Sequence, residues 1–118
     1  MDWRAELRPS ALRDLRALFV FLAETHQRNF GHDAVSATRL AAERLTRIQE
    51  NLTRLENAPG IGSTFRHGDR VYRHVTIERA TYWFTLDDDR GVIQIEAIFH
   101  QGQNHLQHML SRLTGKTP

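Results

Sequence analysis

The sequence predicts an α+β fold in which a helical hairpin packs on a small antiparallel sheet, in the order β-α-α-β-β-β with a short C-terminal helix. Three observations predict it. Residues 70–100 hold three β-rich runs, Val71–Ile77, Thr81–Leu86 and Val92–Phe99, separated only by Glu78-Arg79 and Asp87–Gly91. Such runs with short polar connections read as antiparallel neighbours. Two long stretches before them repeat apolar residues at three- and four-residue spacing, the pattern of amphipathic helices. One face of the expected sheet is strongly apolar and needs the cover that those helices supply.

Taken in order, Asp2–Arg8 alternates weakly, with Trp3, Ala5 and Leu7 on one side. It predicts a short strand at the sheet's edge or beside its last strand. Pro9-Ser10 ends it, and Ser10 is placed to cap the helix that follows. That helix is expected from about Ala11 to His26, with Ala11, Leu12, Leu15, Leu18, Phe19 and Leu22 as its buried stripe. Phe21 falls outside the stripe, nearly opposite Leu12 at roughly 100° per residue and in line with Asp14. It is a candidate partner contact, with a lone exposed Phe as the plainer alternative. After a polar break at Gln27–His32, Asp33 caps a second helix from Ala34 to about Glu56. Its stripe is Ala34, Ala37, Ala41, Leu45, Ile48, Leu52 and Leu55, and the alanines allow another helix to approach closely. Glu43/Arg47 and Glu50/Arg54 have the favourable i,i+4 order and read as a solvated face. Asn57–Ser63, with Pro59, Gly60 and Gly62, stops the helix. Its Gly-x-Gly is no phosphate loop, because no helix and no Lys-Ser/Thr pair follow. Phe65–Asp69 reads as a polar lead-in to the sheet.

Alternation then sorts the sheet residues. Ile93, Ile95, Ala97 and Phe99 are expected on one face of the last run, with Val92, Gln94, Glu96, Ile98 and His100 on the other. Tyr82, Phe84 and Leu86 oppose Thr81, Trp83 and Thr85. Val71, Arg73, Val75 and Ile77 oppose Tyr72, His74 and Thr76. The mixed face is where a functional site is sought. A polar link, Gln101–Asn104, leads to a short helix, His105–Leu113, with Leu106, Met109, Leu110 and Leu113 on one side.

Composition bounds the function. The 118 residues fit a single domain over 1–118. The absence of Cys fits a cytoplasmic protein and excludes thiolate chemistry. Asp2, Arg4 and Glu6 argue against a signal segment. The longest apolar run, Leu18–Ala23, is too short to span a bilayer, so no membrane is expected. A formal charge of +2 does not by itself argue for nucleic acid. Of the 16 basic residues only Lys116 is not Arg. Arg suits bidentate contacts to carboxylate or phosphate, although a GC-rich coding sequence explains the bias more simply. His105 and His108, three apart on the last helix, could converge as a metal site requires, but with His100 they read more simply as a His-rich C-terminus. Asp87–Gly91 lacks the alternating ligands and closing Glu of a calcium loop. No metal and no cofactor are expected.

Several segments, in their order, resemble the RelE/ParE superfamily of toxins from type II toxin–antitoxin systems. Leu55-Glu56-Asn57-Ala58-Pro59-Gly60-Ile61-Gly62 is similar to the superfamily's Leu…Pro…Gly segment. Tyr72-Arg73-His74 looks like the Arg-bearing entry to its second strand, and Tyr82-Trp83-Phe84 like its aromatic strand. Ile93–His100 is similar to its Ile-rich strand ending in His. The resemblance implies a toxin neutralised by a cognate antitoxin in a hetero-oligomer, and it offers two targets. ParE-like members are understood to act by poisoning DNA gyrase rather than by cutting a substrate. RelE-like members cleave messenger RNA on the ribosome, which needs a base, an acid and cations around the phosphate. For that chemistry the matching residues are Arg73, His74, Glu96 and His100. The loop before the second strand lacks Lys, and no Tyr follows Tyr82, which favours the ParE-like reading. The Gly102-Gln103 pair, where ParE-like chains end in two Arg, departs from it. Partner-binding candidates are Phe21, Tyr72, Trp83, Leu106, Met109 and Leu110, with Tyr72 and Trp83 expected beneath an antitoxin segment.

Overall fold

The computed structural model describes residues 2–29 and 33–115. The elements are β1 (Arg4–Leu7), α1 (Pro9–Asn29), α2 (Ala34–Asn57), β2 (Ser63–His67), β3 (Arg70–Ile77), β4 (Ala80–Asp87), β5 (Val92–His100) and α3 (His105–Leu113). The strands form a five-stranded sheet in the order β1-β5-β4-β3-β2. The expected break falls partly on residues 30–32, outside the described residues. Asp33 caps α2 as expected, its carboxylate accepting from the Ser36 amide at 2.7 Å.

Two features of the sheet differ from the expectation. Segment 63–67 is a strand, not a lead-in, and pairs antiparallel with β3. As an edge strand it needs only one apolar anchor, and Phe65 supplies it by meeting the Trp83 ring edge-on at 5.6 Å. The sheet is also mixed. β1 lies beside the last strand but runs parallel to it, pairing Arg4 with Val92 and Leu7 with Ile95. A parallel neighbour requires a crossover, which the helical hairpin begins. Glu56, at the end of α2, holds β1 in place by accepting from the Ala5 amide at 2.7 Å.

The decisive irregularity is in β5. Trp83 pairs with Ala97, but Phe84 pairs with Ile95, so Glu96 is an extra residue. A β-bulge of this kind breaks the alternation of faces. Ile93 and Ile95 face the hairpin as expected. Beyond Glu96 the order inverts: Ile98 joins the hairpin core, while Ala97 and Phe99 turn to the opposite side. The expectation that Ile93, Ile95, Ala97 and Phe99 share a face therefore fails at its midpoint.

Two cores result, one on each side of the sheet. Beneath the hairpin, Ala11, Leu15, Leu18, Ile48 and Leu55 pack on Tyr82, Phe84, Ile93, Ile95 and Ile98. Asn51 is also buried there, donating to the Tyr82 hydroxyl at 3.3 Å. On the other side α3 covers Tyr72, Trp83, Ala97 and Phe99 with Met109 and Leu113. Leu106 and Leu110, expected beside Met109, instead face outward.

α1 is rotated relative to the expected stripe. Leu12 is 40% exposed, whereas Asp14 faces β5. The reason is hydrogen bonding. Past Leu7, among the described residues, no strand pairs with that edge of β5, and its polar groups need partners. Ser10 donates to the Glu96 carbonyl at 2.6 Å, so it does not serve as the expected cap. The Ile98 amide donates to Asp14 at 2.9 Å. Arg112 of α3 grips the same carboxylate at both oxygens, at 2.6 and 2.9 Å. The expected Glu43/Arg47 and Glu50/Arg54 pairs are not formed among the described residues; Arg47 reaches Glu78 at 3.6 Å instead.

Asp14→Ala should destabilise the chain by about 1–3 kcal/mol, because it leaves the Ile98 amide and the Arg112 guanidinium without their acceptor; denaturant unfolding measures this, and Arg112→Ala should cost less. Gly62 has φ +90°, and a Cβ there would collide with the His74 carbonyl. Gly62→Ala should therefore lower stability by about 2 kcal/mol or more in the same assay.

Candidate functional site

The four residues that could serve RNA cleavage are divided by the sheet. His74 and Glu96 lie on the α3 side. The His74 ring stacks on Trp83 with centroids 4.5 Å apart. Glu96 accepts from Arg70 at 3.2 Å and from Thr85 at 3.3 Å, with Arg8 at 3.9 Å. Its side chain is 13% exposed, so this carboxylate is engaged by two guanidiniums of its own chain. Arg73 and His100 lie on the hairpin side. Arg73 shares its face with Val75, and its guanidinium donates to the Gly60 carbonyl at 2.9 Å, tying the α2–β2 turn to β3. His100 follows Ile98 across the sheet because of the bulge. The expectation that Glu96 and His100 share a strand face is thus overturned by the one extra residue between them.

What His100 meets instead is Phe21. The two rings stack at 4.5 Å with an interplanar angle of 17°. His100 Nδ1 lies 2.7 Å from the Gln101 carbonyl. A carbonyl only accepts, so Nδ1 carries the proton and Nε2 is the basic nitrogen. The pair stands at one end of an open groove of about 700 Å³. α1 lines it with Leu18, Phe21 and Leu22, and α2 with Leu40, Glu43, Arg44 and Arg47. The β3–β4 turn closes it with Glu78 and Arg79. The floor is apolar, and the rim mixes the guanidiniums of Arg44, Arg47 and Arg79 with the carboxylates of Glu43 and Glu78.

That turn is held under strain. Glu78 and Arg79 have φ of 49° and 71°. A two-residue hairpin of this hand favours Asn-Gly, because side chains resist positive φ. The surroundings over-determine it. Arg44 donates to the Glu78 carbonyl, Arg47 pairs with the Glu78 carboxylate, and the Gln101 amide donates to the Arg79 carbonyl at 2.8 Å. Strained backbone held by its neighbours is often found where a protein meets its ligand. Sequence reading assigned Arg44 and Arg47 to solvent and missed the groove; the only signal was an ion-bearing helix face opposite an unusual Glu-Arg hairpin.

The partner-binding candidates divide likewise. Phe21, Leu106 and Leu110 are 45%, 42% and 39% exposed. Tyr72, Trp83 and Met109 are buried, and the cover over Tyr72 and Trp83 is the chain's own α3. His105 and His108 do not converge: His105 accepts from the Trp83 indole at 3.1 Å, while His108 stacks on Phe99 at 5.8 Å. Among the described residues no group of three metal-ligating side chains is assembled. None of the helices is long and apolar enough to cross a membrane.

No protein-family model matches the sequence, and a search of the curated proteins gives no match. Solved structures do match. One is the toxin–antitoxin complex RelBE2 from Mycobacterium tuberculosis, at a TM-score of 0.57 and 14% identity, covering 87% of this chain and 95% of that one. Another is the chromosomal ParDE toxin–antitoxin system from P. aeruginosa, at a TM-score of 0.63 and 17% identity, covering 85% and 97%. The α+β fold of this chain, a helical hairpin on one side of the sheet and a short helix on the other, is the RelE/ParE-like fold.

Proposed function

We propose that this chain is the toxin of a type II toxin–antitoxin system, neutralised in the cytoplasm by a cognate antitoxin, and that it acts by binding and inhibiting DNA gyrase. Two solved structures of the same fold come from toxin–antitoxin complexes, which supports the toxin reading. The observation that favours binding over cutting is the division of Arg73, His74, Glu96 and His100 between the two faces of the sheet. Transfer of a 2′-OH proton and stabilisation of the phosphate must occur around one reacting centre, with base, acid and cation within hydrogen-bond reach of it. A sheet between them denies that geometry. Glu96, the carboxylate best placed on the α3 side, is occupied by Arg8 and Arg70.

The groove suits the antitoxin. A segment that folds on binding can lay apolar side chains on Leu18, Leu22 and Phe21 and a carboxylate toward Arg79. The competing reading is a ribosome-dependent ribonuclease, whose candidates are the same four residues.

The test is controlled expression in a bacterial host, with supercoiling assays on purified gyrase and primer extension on messages. Growth arrest with inhibited supercoiling and uncut messages is expected. Cleavage at ribosomal A-site codons would overturn the gyrase reading in favour of the ribonuclease, and unimpaired growth would overturn the toxin reading. With the antitoxin in hand, Phe21→Asp should weaken the complex by about 2 kcal/mol, read as a rise in Kd by calorimetry.

A further inference from the structure

α3 meets the sheet through a stack of three aromatic side chains. His74 of β3 lies flat on Trp83, with 4.5 Å between centroids and 27° between planes. His105, the first residue of α3, stands 5.4 Å from His74 and 5.9 Å from Trp83. The Trp83 indole donates to His105 Nδ1 at 3.1 Å. An indole N–H can only donate, so Nδ1 must be without a proton and Nε2 must carry it. That tautomer also argues against a metal between the two histidines, since Nε2 of His105 has no free lone pair.

We propose that α3 is a pH-sensitive cover, docked while His105 is neutral and released when it is protonated, uncovering the aromatic face made by Tyr72, Trp83 and Phe99. Protonated His105 places an N–H against the indole N–H, so an attraction becomes a clash of donors. The new charge also faces His74 and sits at the positive end of the α3 dipole, where cations are disfavoured. Against it, α3 is held by buried Met109, by partly buried Leu113, and by Arg112, which lies over the Phe99 ring and pairs with Asp14 of α1.

The groups around the pair do not compensate the charge. Beside His74, β3 presents Tyr72 and Arg70, and β2 presents Ser63, Phe65 and His67, their cross-strand partners. β4 presents Trp83 between Thr81 and Thr85. α3 adds His108, stacked on Phe99, and Arg112, which is bound to Asp14 of α1. The carboxylates on this side are taken: Glu96 of β5 by Arg8 and Arg70, and Asp87 of β4 by Arg90. His74 itself is held below its ordinary value of 6.5, first by burial and then by the charge of His105. The unfolded chain therefore binds a proton there more readily than the folded one. The resulting contribution is complete above pH 6.5 and is lost as the pH falls below it.

The experiment is amide hydrogen exchange on the full chain, followed by NMR from about pH 7.5 to 5, the range in which histidine changes charge. Protection factors remove the intrinsic dependence of exchange on pH. Protection in α3 should fall by up to about tenfold per pH unit for each proton taken up, while the amides of β4 and α2 keep theirs. His105→Gln, which retains an acceptor but does not titrate, should keep α3 protected to a lower pH than the wild-type chain, with the burial of His74 as the remaining pH-sensitive contribution. If α3 stays protected to the lowest pH, or opens only together with the sheet, the proposal fails on the wild-type chain alone. It also fails if His105→Gln folds and loses α3 protection over the same range.

Discussion

One inserted residue in β5 governs the architecture. A strand of regular alternation shows one set of side chains to each side, and β5 must serve two covers of different kinds. Its first half supports the hairpin through Ile93 and Ile95. Its second half has to supply the hairpin with Ile98 and α3 with Ala97 and Phe99. The extra residue at Glu96 makes this possible, because it resets the parity midway. The same reset carries His100 across the sheet to Phe21 and leaves Glu96 on the α3 side between Arg8 and Arg70. Core packing and the placement of every candidate catalytic group on β5 are therefore one structural fact.

The bulge also sets what α1 must do. β1 is four residues long and stops at Leu7, so the second half of β5 has a bare edge. An exposed edge invites pairing with another chain. α1 blunts it with side chains: Ser10 satisfies the Glu96 carbonyl, Asp14 the Ile98 amide, and Phe21 stacks on the His100 ring. Asp14 and Phe21 lie on one line of the helix, which explains why α1 turns Leu12 outward to present them. Because Arg112 binds the same Asp14, the helix on one side of the sheet is linked electrostatically to the helix on the other.

These relations show how far the sequence could be read. Element order, the Asp33 cap, the hairpin cover and the face of β4 follow from local rules of periodicity and capping, and the structure agrees with them. β2 was hidden because an edge strand with a single apolar anchor has the composition of a loop. The direction of β1 was hidden because pairing is not a local property. The most consequential miss was the bulge. Alternation counts residues and has no means of detecting one that is skipped; Ile95-Glu96-Ala97 carries no Gly or Pro to mark it. From that single miscount came the expectation that Glu96 and His100 share a face. The groove was illegible for a related reason. Arg44 and Arg47 lie more than thirty residues from the Glu78-Arg79 turn in the chain, and each looks ordinary alone.

Chemistry and binding make different demands on such a framework. A catalytic centre needs its groups focused on one point, within about 3 Å of the reacting atoms. A binding surface needs area, shape and a complementary pattern of charge, spread over many side chains. In this fold the ionisable groups are largely committed to holding elements together: Arg73 to a turn, Glu96 to two strands and the start of α1, Asp14 to β5 and α3. An open apolar surface is left in the groove between the hairpin and the β3–β4 turn, floored by Leu18, Phe21 and Leu22 and rimmed by charges of both signs. The strained turn fits the same view. Two side chains forced to positive φ are kept there by Arg44, Arg47 and the end of β5, so the groove's far wall is rigid before anything binds. Rigidity of this kind spares a ligand the cost of ordering its site, an advantage for a protein whose proposed activity depends on gripping a larger partner.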